Sequence, residues 1–391
     1  MSKDKLIPEL RFPEFEEFGE WDRKTLEFVA DSESSNLALN KIEHKKNGYP
    51  VYGADSIVGY IDQYQQEEKY ISIVKDGSGV GRLNLCMPKS SILGTLACIK
   101  SKDLEKFNLD WIYYLMNTID FTSYKKGSGI PHIYFSDFKI EPIGVPKPQE
   151  QQKIASCLSS LDELLAAHND KLDALKDHKK GLLQNLFPQE GETVPKVRFP
   201  EFEEDGEWVE RKLGEVFNTF SGGTPKSTEK KYYGGSTPFI RSAEIAKNST
   251  ELFLTDEGLK NSSAKLVKKG DLLIALYGAN SGDVAISKID GAINQAILCL
   301  RSDFSNEFVS HYFFLKKDWI TRRYLQGGQG NLSGQIVKSI ELYFPKQEEQ
   351  QKIASCLSAV DELITAQQEK IEQLQQHKKG LMQGLFPKIK S

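Results

Sequence analysis

The chain has little of what would mark it as an enzyme, a metal protein or a membrane protein. Its five cysteines (Cys86, Cys98, Cys157, Cys299, Cys356) are scattered and form no CxxC pair, which speaks against a zinc site and a disulfide framework. No apolar run approaches the roughly 20 residues of a membrane span. Met1 to Ile7 lacks the apolar stretch of a secretory signal, so the expectation is a reduced, cytoplasmic protein. There is no GxxxxGK[ST] phosphate loop: Gly222-Gly223-Thr224-Pro225-Lys226-Ser227 has the wrong spacing and a proline in the way. A GxGxxG turn in a βαβ setting, an HExxH pair and an Asn/Asp-Pro-Pro-aromatic run are missing too. Glu43-His44-Lys45 and Glu67-Glu68-Lys69 match half of a nuclease motif and read as surface charge. Neither charge sign dominates, the net charge being −4. These absences exclude most catalytic classes and leave binding.

What is present is a duplication. Arg11-Phe12-Pro13-Glu14-Phe15-Glu16-Glu17 recurs as Arg198-Phe199-Pro200-Glu201-Phe202-Glu203-Glu204, and each copy runs on to Gly-Glu-Trp, ending at Trp21 and Trp208. Glu150 to Ser159 recurs as Glu349 to Ser358, and both copies continue to His-Lys-Lys-Gly and Leu-Phe-Pro. Between Gln149–Pro188 and Glu348–Pro387, 25 of 40 positions are identical. The first repeat is offset by 187 residues and the second by 199, so the extra length lies in the second insert. The inserts themselves do not resemble each other in sequence. A constant frame around two divergent inserts points to one mechanical role and two targets. The domains read as an arm over 1–21, an insert over 22–148, a central repeat over 149–208, a second insert over 209–347 and a terminal repeat over 348–391. The inserts carry 16 basic against 16 acidic and 19 basic against 14 acidic groups, so the acidity sits in the frame.

The frame is helical. Ile154, Leu158, Leu161, Leu165, His168, Leu172, Leu175, Leu182 and Leu186 alternate four and three apart once Lys179 fills a gap. Ile353, Leu357, Val360, Ile364, Gln367, Ile371, Leu374, Leu381 and Leu385 keep step, with Lys378 in the matching gap. A 3.5-residue period over more than four heptads is a coiled-coil seam. Helices of about 50 Å follow, over 149–187 and from 348 onward. The simplest arrangement pairs them within one chain, an intermolecular coil being the alternative. His168 and Gln367, which would occupy adjacent central layers of an antiparallel pair, read as residues that set register.

The inserts read as mixed α/β with short strands. Tyr49 to Gly53 and Tyr70 to Val74 alternate as half-buried strands do, and Asp271 to Tyr277 reads as a buried one. Helical stretches follow near Leu109–Met116 and Asn306–Lys316. Each is succeeded, about 20 residues before the long helix, by a basic glycine-rich loop: Lys125-Lys126-Gly127-Ser128-Gly129-Ile130-Pro131-His132, and Arg322-Arg323 with Gln326 to Ser333. Lysine and arginine suit phosphates, amides and hydroxyls suit base edges, and glycine permits close backbone approach. The candidate DNA-contacting set is Lys75, Arg82, Lys125, Lys126, Ser128, His132, Arg241, Tyr277, Asn280, Ser281, Arg322, Arg323, Gln326, Gln329 and Asn331. No residue is assigned to catalysis or to a metal.

This organisation resembles the specificity subunit of type I restriction–modification enzymes. The resemblance is carried by the two arm-to-Trp motifs and the Pro-x-x-x-Glu-Gln-Gln-Lys-Ile helix starts at Pro146 and Pro345. Gly222-Gly223-Thr224-Pro225, Gly235 to Ile240, Gly270 to Leu273 and Gln329 to Ser333 add to it, over essentially the whole chain. Ile130-Pro131-His132 departs from the Gln/Asn-rich form of the second loop. The resemblance implies an α+β, pseudo-twofold protein: two α/β target-recognition domains separated by two long helices in an antiparallel intramolecular coiled coil. It implies that each domain reads half of an asymmetric bipartite site in double-stranded DNA, with the helices setting the spacer. It further implies two methyltransferase subunits and restriction subunits as partners, which would bring S-adenosylmethionine, ATP and Mg2+ and do the adenine methylation and cleavage. This chain would hold no cofactor and touch no membrane. A coiled-coil adaptor that never binds DNA is the main competing class, and a fused restriction–methylation enzyme is disfavoured by the missing motifs.

Overall fold

The computed structural model describes residues 6–42, 47–127, 129–324 and 331–389. They fall into two compact units, one of residues up to 169 together with those from 369, the other of residues 170–368. The division cuts both long helices, Pro148–Leu186 and Gln347–Leu385, near their midpoints. Each unit therefore holds the first half of one helix and the last half of the other.

The two halves run antiparallel within each unit. In the first unit Ile154, Ala155 and Leu158 share a core with Leu381 and Leu385, and Asp162 pairs with Lys378 further along. In the second, Leu182, Leu183 and Leu186 share a core with Ile353, Ala354 and Leu357, and Lys179 pairs with Asp361. The two ion pairs are duplicates of each other. The lysines that interrupt the apolar seam thus meet carboxylates on the facing helix. Of the seam positions, Ile154, Leu158, Leu161, Leu172, Leu186, Ile353, Leu357, Val360, Gln367, Ile371, Leu374 and Leu385 are buried. Leu165, His168, Leu175, Leu182, Ile364 and Leu381 are half-buried. Leu183, off the heptad pattern, is buried at 3% exposure because the helix end also packs against its unit's insert.

The arm ties both helices together. Arg11 donates from Nε and Nη2 to the two oxygens of Glu150, each at 2.9 Å, while Trp21 Nε1 donates to Glu150 Oε1 at 3.1 Å. At its other side the arm donates Leu10 N to Gly384 O at 2.8 Å, and Trp21 meets Phe386 edge-on. The second copy repeats this with Arg198 on Glu349 at 2.7 Å twice, Val197 N on Asn185 O at 2.9 Å, and Trp208 edge-on to Phe187. Arg11 and Glu150 are almost entirely buried, and Glu150 is the third residue of its helix, where a carboxylate also faces the positive end of the helix dipole. Glu349 holds the same position.

The inserts, unlike in sequence, share a topology. In the first, Ala30–Ser34, Leu96–Ser101, Tyr70–Val74 and Leu83–Cys86 form an antiparallel sheet in that order. In the second, Asn218–Ser221, Ile297–Arg301, Leu272–Ala275 and Val284–Ile286 do the same. Each insert adds a second sheet, a smaller three-stranded one in the first and a four-stranded one in the second, and each is entered and left through a two-stranded ribbon, Asp22–Thr25 with Pro142–Val145 and Val209–Lys212 with Glu341–Phe344. Tyr70–Val74 is buried throughout rather than alternating, because its two faces join different cores. Ile71 and Ile73 pack with the helix Leu109–Met116 and with Ile154, whereas Tyr70 and Val74 pack toward Ile92 and Tyr52 of the smaller sheet. Close backbone approaches in the second insert explain two of its glycines. A Cβ on Gly222, where its two sheets meet, would stand 1.7 Å from Ile293 O, and one on Gly235, at the irregular pairing of two strands of one sheet, 2.3 Å from Leu254 O. Gly222-Gly223 is a packing device.

The insert helix Leu109–Met116 docks on the first long helix through Tyr114, whose hydroxyl donates to Asp162 at 2.7 Å and reaches Ser159. Its counterpart in the second unit is His311, on Ser358 at 3.4 Å and Asp361 at 3.9 Å. Burial, with Lys179 adding to it, pushes the His311 imidazole down to about 4 from its usual 6.5. The folded state thus holds the neutral ring while the unfolded chain takes a proton below pH 6.5, so stability falls as pH drops toward 4.

These contacts can be tested by unfolding. Glu150→Ala leaves a buried guanidinium and indole N–H unpaired and should cost about 3–5 kcal/mol in urea unfolding. Glu349→Ala should cost roughly 1 kcal/mol less, since Trp208 Nε1 makes no hydrogen bond among the described residues; equal losses would show that the indole bond contributes nothing. Between pH 7 and pH 5 the His311 ring should remove about 2 kcal/mol of stability, and His311→Gln should abolish that part of the pH dependence. A variant with the wild-type slope would assign it to other groups.

Candidate nucleic-acid interface

The basic loop of the first unit is held as a hairpin against the turn that follows the central strand. Lys126 N donates to His132 O and His132 N to Lys126 O, both at 2.9 Å. Gly77 N then donates to Pro131 O and Ile133 N to Lys75 O, also at 2.9 Å. Lys75, Lys125, Lys126 and His132 are thereby gathered at one place. Gly127 turns the chain at φ +92°, and a Cβ there would stand 2.6 Å from Ile130 O, so only glycine closes this hairpin without strain. Lys126 is paired with Asp137 at 2.8 Å, and Arg82, at the end of the same turn, with Asp55.

The second unit makes the corresponding junction with other chemistry. Its central strand Leu272–Ala275 is followed by a turn through Tyr277, Asn280 and Ser281, shaped by Gly278 and Gly282 at φ +79° and +86°. Asn331 Oδ1 accepts from Gly278 N at 3.1 Å, and Ser281 Oγ accepts from Leu332 N at 3.1 Å. Tyr277, Asn280, Ser281 and Asn331 are thus brought together, with Tyr277 41% exposed. Arg322 is exposed near the end of the helix Asn306–Tyr324. The backbone of Arg323 belongs to the same helix. Ser128, Gln326 and Gln329, like Glu43-His44-Lys45, lie outside the described residues.

Arg241 stands apart from both junctions. Its guanidinium donates to both oxygens of Glu244, at 3.0 and 2.9 Å, and to Glu251 at 2.5 Å. That pairing, chiefly through the Arg241 hydrogen bond, pulls the Glu244 carboxyl down to about 2. Arg241 closes a local turn with these contacts.

Sequence reasoning found the loops but not their partners, since nothing in composition ties residue 77 to residue 131 or residue 278 to residue 331. It also passed over the Arg–Glu latch. The arginine and the glutamate are each duplicated in the frame, but so are several other charged residues, and nothing in the sequence pairs these two. Among the described residues no group of three or more His, Cys, Asp or Glu side chains could hold a metal ion, and no helix is long and apolar enough to cross a membrane.

Comparison with known proteins agrees with this two-unit geometry. The family model of the type I restriction modification DNA specificity domain matches twice, over residues 19–177 and 205–376. The type I restriction enzyme MjaVIII specificity subunit of Methanocaldococcus jannaschii is 28% identical over 337 residues, covering 82% of this chain and 78% of its own length. The EcoR124I/EcoR124II specificity subunit of Escherichia coli is 23% identical over 279 residues, covering 68% and 67%. In fold, the chain is similar to the crystal structure of the type I restriction–modification S subunit from M. genitalium, with a TM-score of 0.71 at 19% identity over 98% of this chain and all of that one. With both of its inserts matched as specificity domains on a duplicated helical frame, the chain belongs to the type I restriction–modification specificity family and is a specificity subunit with two target-recognition domains.

Proposed function

We propose that each recognition domain reads one half of an asymmetric, bipartite sequence in double-stranded DNA, and that the two long helices set the unread spacer between the halves. The observation that carries this reading is the repeated junction of turn and loop. Both domains place a turn after the same strand against the segment that precedes the long helix, and dress it with different side chains. Lys75 and Lys125 suit phosphates, whereas His132, Asn280 and the amide nitrogen of Asn331 suit base edges, Ser281 Oγ being engaged with Leu332 N and Leu276 O. Two dissimilar readers on a pseudo-twofold frame specify an asymmetric site, where identical readers would specify a palindrome.

The repeated frame then serves as the docking surface for two methyltransferase subunits, one for each copy, with restriction subunits completing the enzyme. In this reading the chain has no catalytic role. S-adenosylmethionine, ATP and Mg2+ act on the partner subunits, adenine methylation and cleavage belong there, and the assembly works in the cytoplasm.

The chain with its methyltransferase subunits, presented with a random-sequence DNA library, should select and methylate one motif of two unlike parts. Binding should weaken steeply with salt. Seven residues added to both helices would add about 10 Å, or about three base pairs of spacer, with both half-sites unchanged. A spacer that stays the same would overturn the ruler, and salt-independent failure to select any motif would favour the adaptor.

A further inference from the structure

Ile130 sits at the tip of the first domain's hairpin with 71% of its surface exposed. A lone exposed isoleucine is ordinary on a protein surface. This one is followed by a backbone segment held at Pro131, His132 and Ile133. The reciprocal bonds between Lys126 and His132 close the hairpin beneath it, and the bonds from Gly77 and Ile133 pin its far strand. Pro131 has a fixed φ and disfavours helical backbone at Ile130. The segment that follows Ile130 is therefore ordered before any ligand binds, which lowers the cost of binding there.

The surroundings narrow what such a tip meets. Lys75 and Lys125 make no salt bridge among the described residues, and His132 lies beside the tip, its Nδ1 3.4 Å from Ile130 O. An apolar β-branched side chain on a junction that carries two lysines without a salt bridge among the described residues matches a ligand that is anionic in its backbone and apolar at one point. On the base edges of DNA that apolar point is the C5 methyl of thymine. The matching junction of the second domain offers Tyr277, Asn280, Ser281 and Asn331 instead, a polar set.

We propose that Ile130 is a specificity-determining residue of the first recognition domain, selecting a thymine through its C5 methyl group. The proposal rests on the DNA-reading function above.

The test uses the complex of this chain with its methyltransferase subunits on the duplex it selects. Thymines in both half-sites are replaced one at a time by deoxyuridine, which pairs as thymine does but lacks the methyl. At one position the wild-type complex should bind the deoxyuridine duplex about fourfold more weakly, the effect of one buried methyl-sized group. Ile130→Ala should bind both duplexes equally at that position, Ile130→Val should keep most of the preference, and responses at every other thymine should stay as in the wild type. The proposal is overturned if Ile130→Ala retains the discrimination, or if the wild-type complex is indifferent to every replacement. A wild-type complex with no sequence preference at all would overturn the recognition reading itself, a result visible before any base is replaced.

Discussion

The buried bidentate pair of arginine and glutamate, made once in each unit, is the contact on which the frame depends. Arg11 and Glu150 sit where a short arm, the start of one long helix and the end of the other converge, and Arg198 and Glu349 repeat the arrangement. A buried ion pair contributes little net stability compared with apolar residues of the same size, yet breaking it is costly. Its effect is therefore selective: it penalises arrangements in which arm and helix are misplaced. The glutamate's place in the first turn of its helix and the arm's backbone bond to the opposite helix end fix the same geometry from two further directions. The lysine–aspartate pairs along the coil extend the principle into the seam, each lysine also lying over an aromatic ring of the insert helix, Tyr114 or Phe314.

On this frame the two inserts keep one topology while their surfaces differ. The apolar core of each insert is continuous with the long helices. Ile71 and Trp111 share a core with Ile154 in the first unit, and Ile274 and Phe308 share one with Ile353 in the second. A reading surface carried on such a core is held rigidly relative to the helix halves of its own unit. The loop of the first domain is constrained by backbone hydrogen bonds, so its side chains can change without disturbing the sheet beneath it. In the second domain the Asn331 and Ser281 side chains themselves hold the junction, so there one architecture is kept by different means.

Much of this was legible in the sequence, for identifiable reasons. The duplication and the 3.5-residue period are local patterns, and local patterns survive reading without a structure. The two long helices followed from them, whereas the α+β class and the antiparallel pairing within one chain came with the family resemblance. What was not legible depends on long-range contact. Tyr70–Val74 looks half-buried because Ser72 breaks the apolar run, yet a second sheet covers its other face. Leu183 looks exposed by heptad counting but meets an insert core. Lys179 and Lys378 look like gaps in the seam until Asp361 and Asp162 are placed opposite. Nor does the sequence show that Arg241, one of the candidate DNA-contacting residues, is paired with Glu244 and Glu251. In each case the deciding neighbour is far away in sequence or is a charge whose direction the sequence does not carry.

The central claim is that a constant frame presents two independent readers. A chimera carrying residues 22–148 in both insert positions, with the arms and both long helices unchanged, tests it directly. Assembled with its methyltransferase subunits and followed by methylation-sensitive sequencing, it should modify a palindrome built from two copies of one half-site, and the half-site of the second domain should disappear. A chimera that still modifies the original asymmetric sequence would contradict the account.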